Sequence, residues 1–325
     1  MFQDATSSNL IRFLDERAPG LAASLAERPH AGLRSFEHFL EKVFINPHQL
    51  LLLNRNRRLA WDTLDLFESS PHFAEELIRH PALIDELAEI RNPENSNYSD
   101  LIAKVGRRCR IASFLPPQML GIQAQSICLG AEIFHTLGRT SDLADAVIGS
   151  AYSFARDQVA QSNATVDPDY RPLDQMMVIA LGRLGMREFD LGSDADLNFV
   201  LPDQDASELQ FWTRVAERMI DILTAYTGEG IMFTVDTRLR PNGRAGTLVQ
   251  TVSTYVDYLA RSAEAWEGIT YMKSRAVAGN VATATSFLHR LQEVDWQRYG
   301  QSGRSRSDLR NMRVRLERNR APLIL

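Results

Sequence analysis

Asp194 and Asp196 stand one residue apart in "GSDADLNFVL", where a polar turn gives way to an apolar run. On an extended chain that rises roughly 3.3 Å per residue, two such side chains point the same way, about 6.6 Å apart. They repel, and burying either one costs free energy unless a cation or a donor compensates. A third carboxylate, Asp236 in "VDTRLRP", lies in another apolar segment and is followed by Arg238 and Arg240. Carboxylates from two strands make a hard oxygen donor set suited to Mg²⁺, which commonly keeps phosphate oxygens as further ligands, and the arginines suit phosphate charge. The turn "GRLG" places Gly182 and Gly185 just upstream, where the backbone can approach a phosphate closely, and Ser193 adds a hydroxyl and an amide. Either feature alone is weak. A lone D-x-D is more often a solvated turn, and a lone Asp236 would be read as an ion-pair partner of Arg238 or Arg240. A calcium loop is excluded, because its sixth position would be Phe199 instead of glycine and its twelfth Asp205 instead of glutamate.

The elements that must carry these residues follow from periodicity. "MMVIALG" reads as a strand entering the glycine turn and "ADLNFVL" as a second strand, with Asp194, Asp196 and Asn198 on one face and Ala195, Leu197, Phe199 and Leu201 on the other. "IMFTVDTRLRP" reads as a third strand ended by Pro241, with Phe233, Val235, Thr237 and Leu239 towards the core and Thr234, Asp236, Arg238 and Arg240 opposite. A helix is expected over about 206–226, with Trp212, Val215, Met219, Ile222 and Leu223 on its buried face. After residue 250 the pattern predicts helix to the end, with Lys273 and Arg275 as helix-surface charges. Upstream, residues 1 to about 162 carry helical spacing throughout; Ser70 is a predicted N-cap with Pro71 in the first turn, Phe73, Leu77 and Ile78 form a buried stripe, and Pro117–Leu137 is expected to be one bundle helix. The polar, proline-containing stretch 163–175 reads as a linker. The expected class is therefore α+β: an all-helical domain over 1–165, then a small mixed-sheet catalytic domain over 166–325 with flanking helices and a helical C-terminal tail.

Composition narrows the partners. A net charge of −5 over 325 residues argues against a nucleic-acid backbone as the main ligand. No apolar run approaches the roughly 18 residues of a membrane span, and the N-terminus lacks the flank and core of a signal peptide, so a cytoplasmic protein away from membranes is expected. Cys109 and Cys128 have no metal-ligand spacing and are read as core thiols. No Walker A, H-E-x-x-H, G-x-S-x-G or G-x-G-x-x-G motif competes.

A strand, a glycine turn, S-D-x-D opening a second strand and an aspartate on a third together resemble the nucleotidyltransferase superfamily of the DNA polymerase β type. More narrowly, "GRLGMREFDLGSDADLNFV", "VDTRLRPNGRAGTLV" and "AWEGITYMKSRAVAGN" resemble the motifs of the two-headed glutamine synthetase adenylyltransferases, over roughly residues 30–320. Met186 and Asn198 depart from that pattern, where glycine and isoleucine are usual. The resemblance implies one nucleotidyltransferase head, with Asp194, Asp196 and Asp236 as metal ligands and catalytic triad, and Gly182 and Ser193 in the nucleotide loop. It implies two-metal transfer with Mg²⁺ or Mn²⁺ and ATP as substrate, glutamine synthetase as acceptor partner, a PII-type signalling protein as a further partner, and a place in nitrogen regulation. Transfer of AMP to a tyrosine is the expected direction, phosphate-dependent removal the alternative. A non-catalytic interaction module and an RNA-tailing enzyme are the rival classes; the intact carboxylates oppose the first and the acidic balance the second.

Overall fold

The computed structural model describes residues 12–27, 34–90, 97–105, 108–225, 234–300 and 303–320. The chain packs as two compact units, Met1–Asn97 with Ser113–Arg139, and Tyr98–Ala112 with Thr140–Leu325. In chain order the first helices are α1 (Pro19–Ala26), α2 (Arg34–Phe44), α3 (Pro47–Arg55), α4 (Arg57–Ser69), α5 (Pro71–Arg79), α6 (Leu83–Glu89), α7 (Tyr98–Val105), α8 (Arg108–Leu129) and α9 (Ile133–Ser162).

The first unit is helical in its described residues, and its corners are set by local chemistry. Pro19, Pro47 and Pro71 open α1, α3 and α5, where a missing N–H leaves no bond unmade. Ser70 Oγ accepts from Phe73 N, as its cap position predicts, and Asn56 Oδ1 accepts from Leu59 N in the same manner. Phe36, Phe39 and Phe67 form the aromatic heart of this unit, with ring centroids 5.1–5.8 Å apart. The single helix expected over 117–137 is instead two: α8 carries Pro116 and Pro117 in its interior and stops before Gly130, whose left-handed φ of +68° ends a helix readily. Cys128 is half-buried, its thiol donating to the Asp62 carbonyl; the side chain of Cys109 lies outside the described residues.

The second unit holds a five-stranded mixed sheet, in agreement with an α+β class. Its strands are β1 (Met177–Ala180), β2 (Ala195–Leu201), β3 (Val235–Asp236), β4 (Val249–Thr251) and β5 (Arg275–Gly279). The order is β3-β2-β1-β5, and β4 also pairs with β2. β1 runs antiparallel to β2 and to β5, whereas β3 and β4 run parallel to β2. β3 meets β2 at Ala195 and Asp196, and β4 meets it at Phe199–Leu201, so a loop spans the interval between them. Helix α10 (Gly182–Gly185) is the glycine turn, α11 (Leu209–Thr224) follows β2, and α12 (Val252–Arg261), α13 (Ala265–Met272) and α14 (Val281–Asp295) surround β5 before the final α15 (Gly303–Arg320). Met177, Ile179, Leu181 and Val200 bury one sheet face against Tyr255, Leu259, Tyr271 and Phe287 of α12–α14. Among the described residues no helix is long and apolar enough to cross a membrane.

Three expectations need correction. The third strand is regular only at Val235 and Asp236 among the described residues, with Ile231–Phe233 outside them, because Arg238 and Arg240 fold back onto nearby acceptors instead of extending the ladder. The region after residue 250 is not all helix: "RAVAG" is the edge strand β5. Finally, 163–175 is tied down. Glu208, fully buried, accepts from Val166 N and Asp167 N on its two carboxylate oxygens at 2.8 Å each, and the Tyr170 hydroxyl donates to Asp205 at 2.8 Å while accepting from Trp212 Nε1 at 3.0 Å. The compact unit that contains the sheet also takes in Tyr98–Ala112 and α9 from Thr140 onward, where Ser141, Asp142 and Asp145 all bond residues of the sheet segment.

Candidate active site

β2 is the spine of the site. All of its side chains are buried except that of Asp196, which is half-buried, so its polar face runs from the protein surface at Asp196 to the interior at Asn198 and Val200. The turn leading into it is organised by Asp190: Oδ1 accepts from Gly192 N at 3.2 Å and from Ser193 Oγ at 2.7 Å, and Oδ2 lies 2.7 Å from Arg183 Nη1. The Ser193 hydroxyl, expected at the nucleotide, is thus engaged by Asp190. Asp194 Oδ1 accepts the Thr234 hydroxyl, and Ala195 N donates to Thr234 O at 2.8 Å, which starts the parallel pairing. The register sets Asp196 directly opposite Asp236. Neighbouring strands are about 4.8 Å apart, so residues distant in sequence become lateral neighbours.

The glycine turn closes over this pair. Gly182 has φ +55°, and a methyl group on its Cα would lie 2.2 Å from Asp196 Oδ2. A side chain here would cover the carboxylate. Gly185 has a different task, since its missing Cβ makes room for the Lys273 carbonyl, which would be 2.3 Å away. Arg275 holds the turn from behind: its guanidinium bonds Asp145 at 2.5 and 2.8 Å and donates to the Leu184 carbonyl at 3.0 and 3.2 Å. This arginine lies on β5 and is an anchor, not a helix-surface charge, while Lys273 is exposed.

Burial, followed by the charges of Asp236 and Asp194, pushes the Asp196 carboxyl up to about 6. Asp236 moves the other way: hydrogen bonds from Arg238 hold it below the usual carboxylate range. One member of the register pair is therefore strained by negative charge and the other is already neutralised by a neighbour.

An open cavity of about 510 Å³ adjoins the carboxylates, lined by Asp194, Thr234, Asp236, Arg238, Arg240 and Arg244 among others. Arg238 and Arg240, the two arginines singled out in the sequence, both line it, and Arg244 is an addition. The loop that carries them is fastened by side chains. Arg240 donates to Thr237 O at 2.5 Å and to Gly246 O at 3.1 and 3.2 Å. Gln250 Nε2 donates to Pro241 O and Thr247 O. Asn198 Nδ2 and the Tyr271 hydroxyl both donate to the Leu239 carbonyl, at 2.6 and 2.7 Å, and so fix the residue between the two arginines. Sequence reading placed Asn198 with the acids; its role as a buried brace for the basic loop was missed. Arg244 was hidden in the turn "PNGRAG", and its only signal was a third arginine close behind Arg238 and Arg240.

Among the described residues, no three histidine, cysteine or carboxylate side chains are set to share a metal ion as they stand. Asp194 is turned to Thr234 and Asp236 to Arg238. The donor set nevertheless fits a hard divalent cation: it is all oxygen, it comes from adjoining strands, and Gly182 leaves Asp196 Oδ2 free of a covering side chain.

The chain is 28% identical over 299 residues to a bifunctional glutamine synthetase adenylyltransferase/adenylyl-removing enzyme of Bradyrhizobium diazoefficiens, covering 85% of this chain and 29% of that protein. It is 31% identical over 242 residues to the enzyme of the same name from Streptomyces avermitilis, covering 72% of this chain and 23% of the relative. It therefore spans less than a third of the length of these curated relatives. The family profile of glutamate-ammonia ligase adenylyltransferase matches residues 62–290, which include the glycine turn, all three aspartates and Arg275. By that match the chain belongs to the glutamate-ammonia ligase adenylyltransferase family.

Proposed function

We propose that this chain is a nucleotidyl-transfer head that uses ATP with Mg²⁺ or Mn²⁺ to place AMP on a tyrosine of glutamine synthetase. The observation that carries the reading is the β2–β3 register, which sets Asp196 opposite Asp236 beside a cavity lined by arginines. Glutamine synthetase comes from the names of the relatives, which couple attachment with removal of the adenylyl group. Attachment is the direction taken because "SPHFAEELIRHPALIDEL" resembles the segment that precedes the attaching head, while "MKSRAVAGN" and "LRNMRVRLER" resemble the removing head as well and keep removal as the alternative.

Asp194, Asp196 and Asp236 would hold the divalent ions, which when bound offset phosphate charge and make an attacking hydroxyl more acidic. The chain's own residues do the rest. The Gly182 turn lets phosphate approach Asp196 without a side chain between them. Arg238 and Arg244, both exposed at the cavity, take phosphate charge, whereas Arg240 is engaged by backbone carbonyls and shapes the loop. Asp236, set opposite Asp196 by the strand register and at the edge of the cavity, is placed to accept the hydrogen of the tyrosine hydroxyl.

The test is incubation with glutamine synthetase, Mg²⁺ and ATP labelled at the α-phosphate, and in parallel with adenylylated glutamine synthetase and phosphate. Label should pass to the acceptor, and Asp196→Ala should lower the rate by roughly a hundredfold or more. Release from the adenylylated protein without any transfer would reverse the direction, and neither reaction would sink the reading.

A further inference from the structure

Every hydrogen bond accepted by the Asp236 carboxylate among the described residues comes from Arg238. Oδ1 accepts from the Arg238 backbone N at 2.8 Å and from Nε at 2.9 Å; Oδ2 accepts from Nε at 2.7 Å and also from Nη2. A cation approaching either oxygen along this side meets a guanidinium of like charge, so the two compete for the carboxylate there. We infer that Arg238 is a resident counter-ion of the site, displaced from Asp236 when the divalent ion binds and received by the nucleotide phosphates, so that metal and nucleotide bind cooperatively. This inference rests on the metal-dependent reading above.

Three features make the exchange feasible. The Arg238 side chain is 59% exposed, so the guanidinium that leaves returns to water, while the Asp236 carboxylate, 14% exposed, passes from one cation to the other and is not left unpaired. The bond from the Arg238 backbone N to Oδ1 is independent of the guanidinium and keeps the carboxylate aimed after the side chain has gone. Arg238 also lines the same cavity as Asp194 and Arg244, so a phosphate bound there offers it a bidentate partner in place of Asp236. Arg240 cannot exchange in this way, because its guanidinium is engaged by the carbonyls of Thr237 and Gly246. Metal alone must then compete with the guanidinium. Metal arriving with nucleotide does not, and by linkage each tightens the other.

The experiment measures Mn²⁺ binding by the electron paramagnetic resonance of the free ion, with and without a non-hydrolysable ATP analogue. It compares the wild type with Arg238→Gln, Arg244→Gln and Asp236→Asn. In the wild type the analogue should tighten Mn²⁺ about tenfold or more. Arg238→Gln should bind Mn²⁺ alone about tenfold more tightly than the wild type, because the competitor is gone, and keep only the coupling that direct contact between ion and phosphate supplies, read after subtracting the Mn²⁺ that the analogue binds without protein. Arg244→Gln removes a charge from the same cavity but leaves the hydrogen bonds of the pair in place, and, because Arg244 acts on Asp236 only through its field, should tighten Mn²⁺ in the absence of nucleotide by no more than a small part of the Arg238→Gln effect. Equal affinity of Arg238→Gln and wild type for Mn²⁺ alone, or an Arg244→Gln that matches Arg238→Gln, overturns the exchange. If Asp236→Asn still abolishes binding in that case, the metal site stands and only the role of Arg238 falls. No Mn²⁺ binding by any form, even with the analogue, overturns both.

Discussion

Behind the glycine turn, Arg275 and Asp145 are 22% and 24% exposed, bonded through two nitrogens, and the same guanidinium carries the Leu184 carbonyl. At the cavity, Arg238 and Asp236 form a pair of the same chemistry, but although Asp236 is only 14% exposed, Arg238 is 59% exposed and its partner is only two residues away. The first pair joins three elements, namely α9, the turn and β5, and little water competes for it. The second joins a strand end to its own continuation, in contact with solvent. Position and burial, not residue type, decide which of the two is an anchor and which can be exchanged.

The largest break in that contrast should come from Arg275→Met. It leaves Asp145 without its cation and the Leu184 carbonyl without its donor. Burial already raises the Asp145 carboxyl above its ordinary value. We expect a loss of about 2–3 kcal/mol in urea unfolding, somewhat below that of a fully buried pair, with partial recovery in Arg275→Met/Asp145→Leu. An unchanged midpoint would mean that the pair anchors nothing. Next is Gly182→Ala. A left-handed backbone costs a residue with a side chain roughly 1–2 kcal/mol, and here the methyl also falls on Asp196 Oδ2. Stability should drop by that amount and MgATP affinity in calorimetry should fall with it; full retention of nucleotide affinity would count against the turn as a phosphate cradle. The smallest effect sharpens the comparison from the other side: Arg238→Gln should leave the urea midpoint where it is, and a clear destabilisation would show that this pair too is an anchor.

Much of the acidic half was legible in the sequence. Alternation delimits β2 as Ala195–Leu201, and S-D-x-D marks its open end, because a strand buried on both faces tolerates carboxylates only where it emerges. Ser70 and Pro71 likewise announce their helix through local chemistry. The basic half was harder to read. Residues 234–240 alternate as a strand does, but the alternation serves arginines that bond their own loop, and their acceptors at Thr237 and Gly246 carry no sequence signal. β5 was missed because the four half-buried residues and the buried Ala278 of "RAVAG" show no clear period within a helical surround. The supposed linker was misread for a related cause. A polar, proline-bearing stretch looks free until its partners are known, and those partners, Glu208 and Asp205, lie 42 and 35 residues onward.

The reach of the Arg275 anchor also bears on assembly. Its contacts span 130 residues to Asp145 and 91 to Leu184, and closing such long loops is slow compared with forming helices. The acids, the turn and the basic loop are all upstream of it. During synthesis a nascent chain can therefore display every residue of the presumed chemistry while the turn that should frame it still hangs untethered, and the site is finished only when β5 zips onto β1, after residue 279 has been made.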